Sequence, residues 1–474
     1  MTKEELIIRL SDIEWEDFEV KKAKSEVPKS VWETVSAFSN TAGGWIIFGI
    51  NQNGKNFEIS GVENAEKIEQ DFLNTLSGNK FNSTIRPLSK FYNIKGKHVL
   101  AFYIPLSKHK PVYFNNPANT FIRQGSSDRR AYNSEIDAMF RDQLYGTKTS
   151  ETIENTSVND LHKGSLARYR DYMTRFNPNS TYNEITNEEF LKKTGVISNG
   201  KLSFAGLLMF GKRDTIDRLF PDFRIDLLEI PGKSYAEAEP RYTYRLEEQE
   251  NLWEYYFTLF DRIKNKIDIP FQMSDEGFAM GNSEPLTALR EALVNLLMHA
   301  DYFSPAKPRI RIFTDRIEYF NPGGLPKPLE ELLETDISLP RNPILAKLFR
   351  AVKLAENAGF GFDKMINGWK VYNPYKEVEF SSAIDYHTVT LYFEGSANNK
   401  LGEKLGERLG EKLGENQIKI LNLMLSENSI TISKLSETIG ISTTAIENNI
   451  AKLKEMGLLK RTGSDKKGHW EVIK

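Results

Sequence analysis

The sequence predicts a multidomain α/β (α+β) chain, and three observations carry that expectation. Short apolar runs of strand type alternate with segments of helical period: Trp45–Ile50 and Val99–Ile104 early, Ile310–Phe313 and Ile317–Phe320 later. One stretch in the middle, Leu289–Ser304, is made of good helix formers and is apolar on most sides, which marks a buried helix. The carboxyl end reads as three short helices followed by a hairpin. At 474 residues the chain exceeds what one core organises, so roughly three domains are expected. We place them at 1–145, 146–397 and 417–474, with 398–416 as a linker.

Composition removes several classes. A hydrophobic content of 39% with 27% charged residues is ordinary globular usage. With no cysteine there are no disulfides and no thiolate metal sites, and the six histidines are scattered without ligand spacing. The opening MTKEELIIRL lacks the charged-then-apolar layout of a signal peptide, and no run approaches the roughly 18–20 apolar residues of a membrane span. The expectation is a cytoplasmic protein with no membrane partner. Net charge is −2, so any nucleic-acid surface must be a local basic patch.

In the first domain a helix over Lys3–Leu10 precedes Glu14-Trp15-Glu16-Asp17-Phe18-Glu19-Val20-Lys21. A helix over Ser30–Phe38 follows, then Gly43-Gly44 and the strand Trp45–Ile50. Pro111-Val112-Tyr113 and Thr120–Ser127 close the unit. The set E-x4-E-V-K, SAFSNTAGGWIIFGIN, PVYF and FIRQGSSDRRA resembles the Schlafen AlbA-type domain over about 130 residues. That resemblance implies nucleic-acid binding and, in Schlafens, an RNA nuclease built on three carboxylates that hold metal ions. Glu14 and Glu19 match the first two, whereas Asn51 and Asn53 stand near the third, and an amide there weakens two-metal hydrolysis. A Glu19–Lys21 ion pair is the alternative role for Glu19. Arg123, Arg129 and Arg130 flank a Gly/Ser turn, which suits phosphate contact by guanidinium and backbone amide, or else forms a solvated loop.

Thr147–Asp160 is polar and reads as a connection. Helices are expected at Leu161–Arg175, Asn187–Lys193 and Asn251–Ile267, a core segment at Leu202–Gly211 and a strand at Phe223–Ile230. Along Leu289–Ser304, Glu291, Asn295 and His299 recur at i, i+4 and i+8, so they stack on one face, drifting about 40° per step. Buried polar groups in a row cost free energy unless partnered. A lone His would be read as a satisfied core group; three polar residues plus two glycine turns point to a ligand. Those turns are Asn321-Pro322-Gly323-Gly324 and Glu356-Asn357-Ala358-Gly359-Phe360-Gly361, where paired glycines admit a close-lying ligand and exposed amides suit phosphate. Asn342-Pro343 starts a further helix with Asn as cap and Pro at its first position, and Thr388–Phe393 is a late strand.

A Glu-x-x-x-Asn helix followed by two glycine turns resembles the Bergerat, or GHKL-type, ATP site, an α/β sandwich. RxxxxNLLMHADY, NPGGLP, RNP and ENAGFG together resemble the RecG-related branch of bacterial ATP-binding transcriptional regulators. The resemblance implies ATP and Mg2+ as cofactors, with Glu291 as general base and Asn295 as magnesium ligand. It also implies Asn321, Gly323 and Gly324 along the nucleotide, and Gly359 and Gly361 at phosphate. The wider family has an Asp where Asn321 stands, to accept from the adenine amino group. Arg341 precedes a helix start, where a guanidinium meets either a phosphate or a surface carboxylate. Binding is the primary expectation, with slow ATP hydrolysis as the accompanying activity.

Leu401–Asn416 is LGEK-LGER-LGEK-LGEN, read as a tether or an oligomerisation element, and a homo-oligomer is expected. Gln417–Leu425, Ile432–Ile439 and Thr443–Met456, then a hairpin around Thr462–Gly468, are similar to winged helix-turn-helix domains. Lys452, Lys454, Lys460, Arg461, Lys466, Lys467 and Lys474 outnumber Glu455, Asp465 and Glu471 there, so positive charge gathers at the wing. Thr443, Thr444 and Asn448 open the third helix, where base edges would be read. Protein docking is the alternative use of such a module. The sequence therefore predicts an ATP-binding regulator whose partners are DNA or RNA. The second reading is a metal-dependent nuclease or antiviral effector acting through Glu14 and Glu19.

Overall fold

The computed structural model describes residues 2, 4–6, 17–53, 56–267, 284–334, 339–355, 361–393, 413–426, 428, 430–462 and 469–472. The chain divides into two compact units. The first comprises Met1–Lys148, Gly323–Pro326 and Ala383–Tyr386; the second comprises Thr149–Pro322, Lys327–Ser382 and His387–Lys474.

In the first unit, β1 (Phe18–Lys21) runs parallel to β2 (Gly44–Phe48). A separate hairpin, β3 (Ile50–Asn53) with β4 (Asn56–Ile59), follows β2. The antiparallel pair β5 (Leu88–Ile94) and β6 (Lys97–Ile104) completes the order β1-β2-β6-β5. Two layers explain the unbroken apolar run of β2. Ile46 and Phe48 join Val35, Phe38, Phe72 and Phe102 under the helices Val31–Asn40 and Ala65–Ser77, while Ile47 packs on the other face with Leu6, Phe18 and Val99. Gly43 turns the chain into β2 at φ +77, and a Cβ there would lie 2.9 Å from the Ile104 carbonyl. Buried Asn40 donates to the carbonyls of Val112 and Phe121 and accepts from the Val112 amide, fixing the helix end to the segment leading into β7 (Phe121–Gln124). β7 pairs with β8 (Ser127–Arg130).

The expected polar connection after residue 147 is tied down instead. Thr152 bridges Ser203, Leu161 bridges Gly211, and the Ile153 amide donates to the Leu202 carbonyl at 2.8 Å. Of its two apolar residues Ile153 is buried and Val158 is exposed, so composition alone carries no sign of this anchoring. In the second unit a small pair, β9 (Ile197–Ser198) and β10 (Lys201–Leu202), precedes a six-stranded mixed sheet. Its strands are β11 (Asp226–Glu229), β12 (Tyr244–Arg245), β13 (Arg309–Ile312), β14 (Arg316–Pro322), β15 (Glu379–Ser382) and β16 (Tyr386–Tyr392), in the order β12-β11-β13-β14-β16-β15. One core joins the inward residues of that sheet to the helices Lys163–Phe176, Phe204–Phe210, Leu252–Lys264, Glu284–His299, Pro343–Ala351 and Gly361–Tyr372.

The central helix, Glu284–His299, buries Ala288, Leu289, Ala292, Leu293, Leu296 and Leu297. Gly368 lets the helix Gly361–Tyr372 lie against it: a Cβ at 368 would meet the Glu284 carbonyl at 2.6 Å and the Ala288 methyl at 3.2 Å.

The carboxyl segment has helices Glu415–Ser426, Ile432–Ile439 and Thr443–Glu455, then β17 (Leu459–Thr462) and β18 (His469–Val472). Gly440 takes the left-handed conformation in the tight turn, as the Ile-Gly-Ile-Ser spacing requires. Residues 401–412 of the repeat lie outside the described residues. No helix among the described residues is long and apolar enough to cross a membrane.

Candidate functional site

The central helix is buried except along one edge. Glu291, Asn295 and His299 keep partial exposure while Ala292, Leu293, Val294, Leu296, Leu297 and Met298 are buried; nearer the helix start Leu286, Thr287 and Arg290 are partly exposed as well. Asn295 Nδ2 donates to Glu291 Oε1 at 3.2 Å. Gly361, at the start of the facing helix, closes on this pair: a Cβ there would lie 3.0 Å from Glu291 Oε1 and 3.2 Å from Asn295 Nδ2. The predicted carboxylate, the amide and Gly361 therefore meet in space. Gly359 lies outside the described residues.

At the far end of the helix His299 is pushed down to about 3, first by burial, then by the nearby His387 and Arg341 charges. Its imidazole is neutral at physiological pH, although an edge of the residue stays accessible. Arg341 is 6% exposed, so it is no surface residue. Asn342 departs from its expected role. Its side chain makes no cap for the helix Pro343–Ala351. It donates instead to the Met298 and Ala300 carbonyls, both at 2.9 Å, and so closes the end of the central helix.

Asn321 ends the inward face of β14, following Ile317 and Tyr319. It is 3% exposed, and neither its Nδ2 nor its Oδ1 has a hydrogen-bond partner among the described residues. The first glycine turn is placed differently. Gly323 and Gly324 belong to the first unit, where the Gly323 amide donates to the Asp385 carbonyl. A Cβ on Gly324 would meet the Ile384 carbonyl at 2.4 Å and Asp142 Oδ2 at 3.4 Å.

In the first unit Glu14 lies outside the described residues. Glu19 is ion-paired at both oxygens, to Lys21 Nζ at 2.9 Å and Arg123 Nη1 at 3.1 Å. No group of three or more His, Asp or Glu poised for a metal occurs among the described residues. Arg123, expected at a phosphate, is a buried hub. Its side chain is 4% exposed and also contacts Asp128 Oδ1 at 2.9 Å and the Phe18 carbonyl at 3.2 Å. A guanidinium so enclosed does not reach solvent phosphate. Arg129 forms a fork on Glu135 at 2.9 and 2.7 Å, and Arg130 reaches the Ala118 carbonyl and Asn119. Arg130 keeps an exposed edge.

In the carboxyl module Ile446, Ile450 and Leu453 of the third helix are buried in the core, while Thr443, Thr444, Glu447 and Asn448 are exposed. Lys460 and Arg461 are exposed on β17, with Arg461 and Lys454 flanking Trp470 at 5.0 and 5.2 Å. Lys466 and Lys467 lie outside the described residues. One contact had no sequence signal: Tyr375, just after the helix Gly361–Tyr372, packs against the core of this module.

The class these features define is a mixed α/β multidomain chain with an AlbA-type unit, an ATPase-like segment and a winged-helix module. Comparison with known families gives the particular matches. Residues 14–132 match the "Schlafen, AlbA_2" family model, and residues 306–391 match "Putative ATP-dependent DNA helicase recG C-terminal". Residues 413–460 match "Winged helix-turn-helix DNA-binding", and residues 137–226 match a domain of unknown function. The RecG C-terminal match begins beyond the central helix, so Glu291 and Asn295 lie outside it. Among solved structures, the chain is similar to the DIP2311 protein from Corynebacterium diphtheriae (19% identity, 97% of this chain and 92% of that one, TM-score 0.42). It is also similar to the N-terminal domain of a "Putative ATP-dependent DNA Helicase RecG-related Protein" from Nitrosomonas europaea (27% identity, 27% of this chain and 92% of that one, TM-score 0.22). No curated protein matches the sequence.

Proposed function

We propose that the chain is a transcription-type regulator in which magnesium-ATP, held along the open edge of the central helix, modulates DNA binding by the winged-helix module. The observation that carries this reading is the approach of Gly361 to Glu291 and Asn295. A carboxylate and an amide at one helix edge, facing a backbone that carries no side chain, suit a chelated triphosphate. Asn295 would ligate the cation, and Glu291 would accept a proton from water, making slow hydrolysis the accompanying activity. Magnesium supplies charge neutralisation of the phosphates when bound. The orphaned amide of Asn321 fits a nucleotide base, because a buried polar group without a partner is a costly vacancy in bonding.

The second unit also contains a route from site to DNA module. The helix that begins at Gly361 is held at its other end, where Trp369 Nε1 donates to the Tyr392 carbonyl at 2.9 Å. Asn373 donates to the carbonyls of Tyr392 and Phe393 and accepts from the Tyr375 amide. Tyr375 then packs on the winged-helix core. A shift at Gly361 would reach that core through one helix and one loop. Coupling requires different ATP affinity in the DNA-competent and incompetent arrangements. The test is fluorescence anisotropy of labelled duplex DNA at fixed salt, with and without magnesium-ATP. A change in DNA affinity of about fivefold or more is expected; unchanged affinity contradicts the reading.

A further inference from the structure

We propose that β5 is a self-association edge, at which two copies of this chain pair their β5 strands antiparallel about Phe91 and join their first-unit sheets into one. β5 is the terminal strand of the order β1-β2-β6-β5, so among the described residues no strand meets its outer edge. Its pairing with β6 runs unbroken over all seven residues, with no bulge and no proline inside the strand. An edge of that kind is a template for a further strand unless something blunts it. Two large apolar side chains stand out from it, Leu88 at 65% exposure and Phe91 at 54%, one on each face. The single charge on the strand is Lys90.

The second copy is the occupant because the strand complements its own reverse. Side chains alternate, so Leu88, Lys90, Tyr92 and Ile94 share the face of Val99 and Ala101, while Ser89, Phe91 and Asn93 share that of Leu100 and Phe102. A two-fold axis through Phe91, perpendicular to the sheet, sets Leu88 against the second copy's Ile94 and Lys90 against its Tyr92. It also sets Ser89 against the second copy's Asn93, and Phe91 against Phe91. Every pair is matched: aliphatic with aliphatic, ammonium with phenol ring, hydroxyl with amide, ring with ring. Each residue keeps its face, so both apolar layers continue across the junction. An axis through Lys90 would oppose two ammonium groups, and one through Tyr92 would set Lys90 against Ile94. Lys90 discourages pairing with an arbitrary strand, and here it selects the register.

The chain has no cysteine, so single substitutions in the full chain report the register directly. Directly opposed residues of an antiparallel pair have Cα atoms about 4.5–5.5 Å apart, within disulfide reach. Ser89 would stand roughly 13 Å from its own copy, beyond that reach. Residues 89, 91 and 93 are all exposed, so substitution there leaves the core intact. Under copper–phenanthroline and dissolved oxygen, Phe91→Cys should become a covalent dimer on a non-reducing gel. Ser89→Cys and Asn93→Cys, each alone, should cross-link about tenfold more slowly or not at all, while an equal mixture of the two should give the mixed dimer. Sedimentation velocity of the wild type should show a concentration-dependent dimer that Phe91→Lys shifts to monomer. Failure of Phe91→Cys to cross-link, equal rates at all three positions, or a wild-type dimer untouched by Phe91→Lys overturns the inference. Each of these results leaves the nucleotide reading where it stands.

Discussion

Replacing Gly361 with Ala separates ligand binding from folding. The glycine opens a helix and does not occupy the left-handed region, so its backbone accepts a side chain. In that position Ala is worth up to ~1 kcal/mol over Gly in helix propensity. The new Cβ, however, would stand 3.0 Å from Glu291 Oε1 and 3.2 Å from Asn295 Nδ2, so both ends must give by a few tenths of an ångström. Those two atoms share the 3.2 Å hydrogen bond that aligns the pair. Losing that alignment costs about one hydrogen bond to the ligand, on the order of 1.4 kcal/mol or tenfold in affinity. Urea unfolding followed by tryptophan fluorescence and titration of magnesium-ATP read the two effects independently. The unfolding midpoint should hold or rise slightly while Kd increases about tenfold. A variant that keeps both its midpoint and its Kd refutes the assignment of this corner to phosphate.

Tyr375→Ala should leave ATP affinity and basal DNA affinity within about twofold but abolish the effect of ATP on DNA binding, measured by anisotropy; retained coupling contradicts the proposed route. Arg123→Ala should destabilise the first unit by about 2 kcal/mol, because it removes the cation shared by Glu19 and Asp128 and leaves them with Lys21 and Thr34 alone; a change below ~1 kcal/mol in chemical denaturation would return Arg123 to the role of a surface residue. His299 gives a signed pH dependence. Its folded value is depressed to about 3 from an ordinary 6.5, so the unfolded chain binds the extra proton in that window. Stability from this group is complete above pH 6.5 and falls toward pH 3 by up to ~1.4 kcal/mol per unit. Denaturation across that range should be shallower in His299→Gln than in the wild type, and parallel curves contradict the burial.

Much of the fold was legible because burial leaves a pattern in the residues themselves. The run Trp45-Ile46-Ile47-Phe48 announces a strand covered on both faces, and its side chains do divide between two apolar layers. The i, i+4, i+8 stripe of Glu291, Asn295 and His299 likewise declares an edge that differs from the rest of its helix. What escaped depends on partners far away in the chain. Arg123 reads as a loop arginine until Glu19, 104 positions earlier, is placed beside it. Asn342 sits at a helix start, where a cap is the local expectation, yet its amide serves the end of a different helix 44 and 42 residues away. Tyr375 follows a helix with no periodicity to mark it, so its place in the winged-helix core has no signature in sequence. Gly323-Gly324 shows the converse: two glycines suit a ligand or a tight crossing equally, and Gly324 here abuts the Ile384 carbonyl.

The most direct measurement is calorimetric titration of magnesium-ATP into the intact chain and into Asn295→Ala. Saturable binding to the wild type, weakened at least tenfold in the variant with its unfolding midpoint preserved, is what a cation-ligating amide at this edge requires. Equal binding by both proteins, or heat of dilution alone from the wild type, contradicts it.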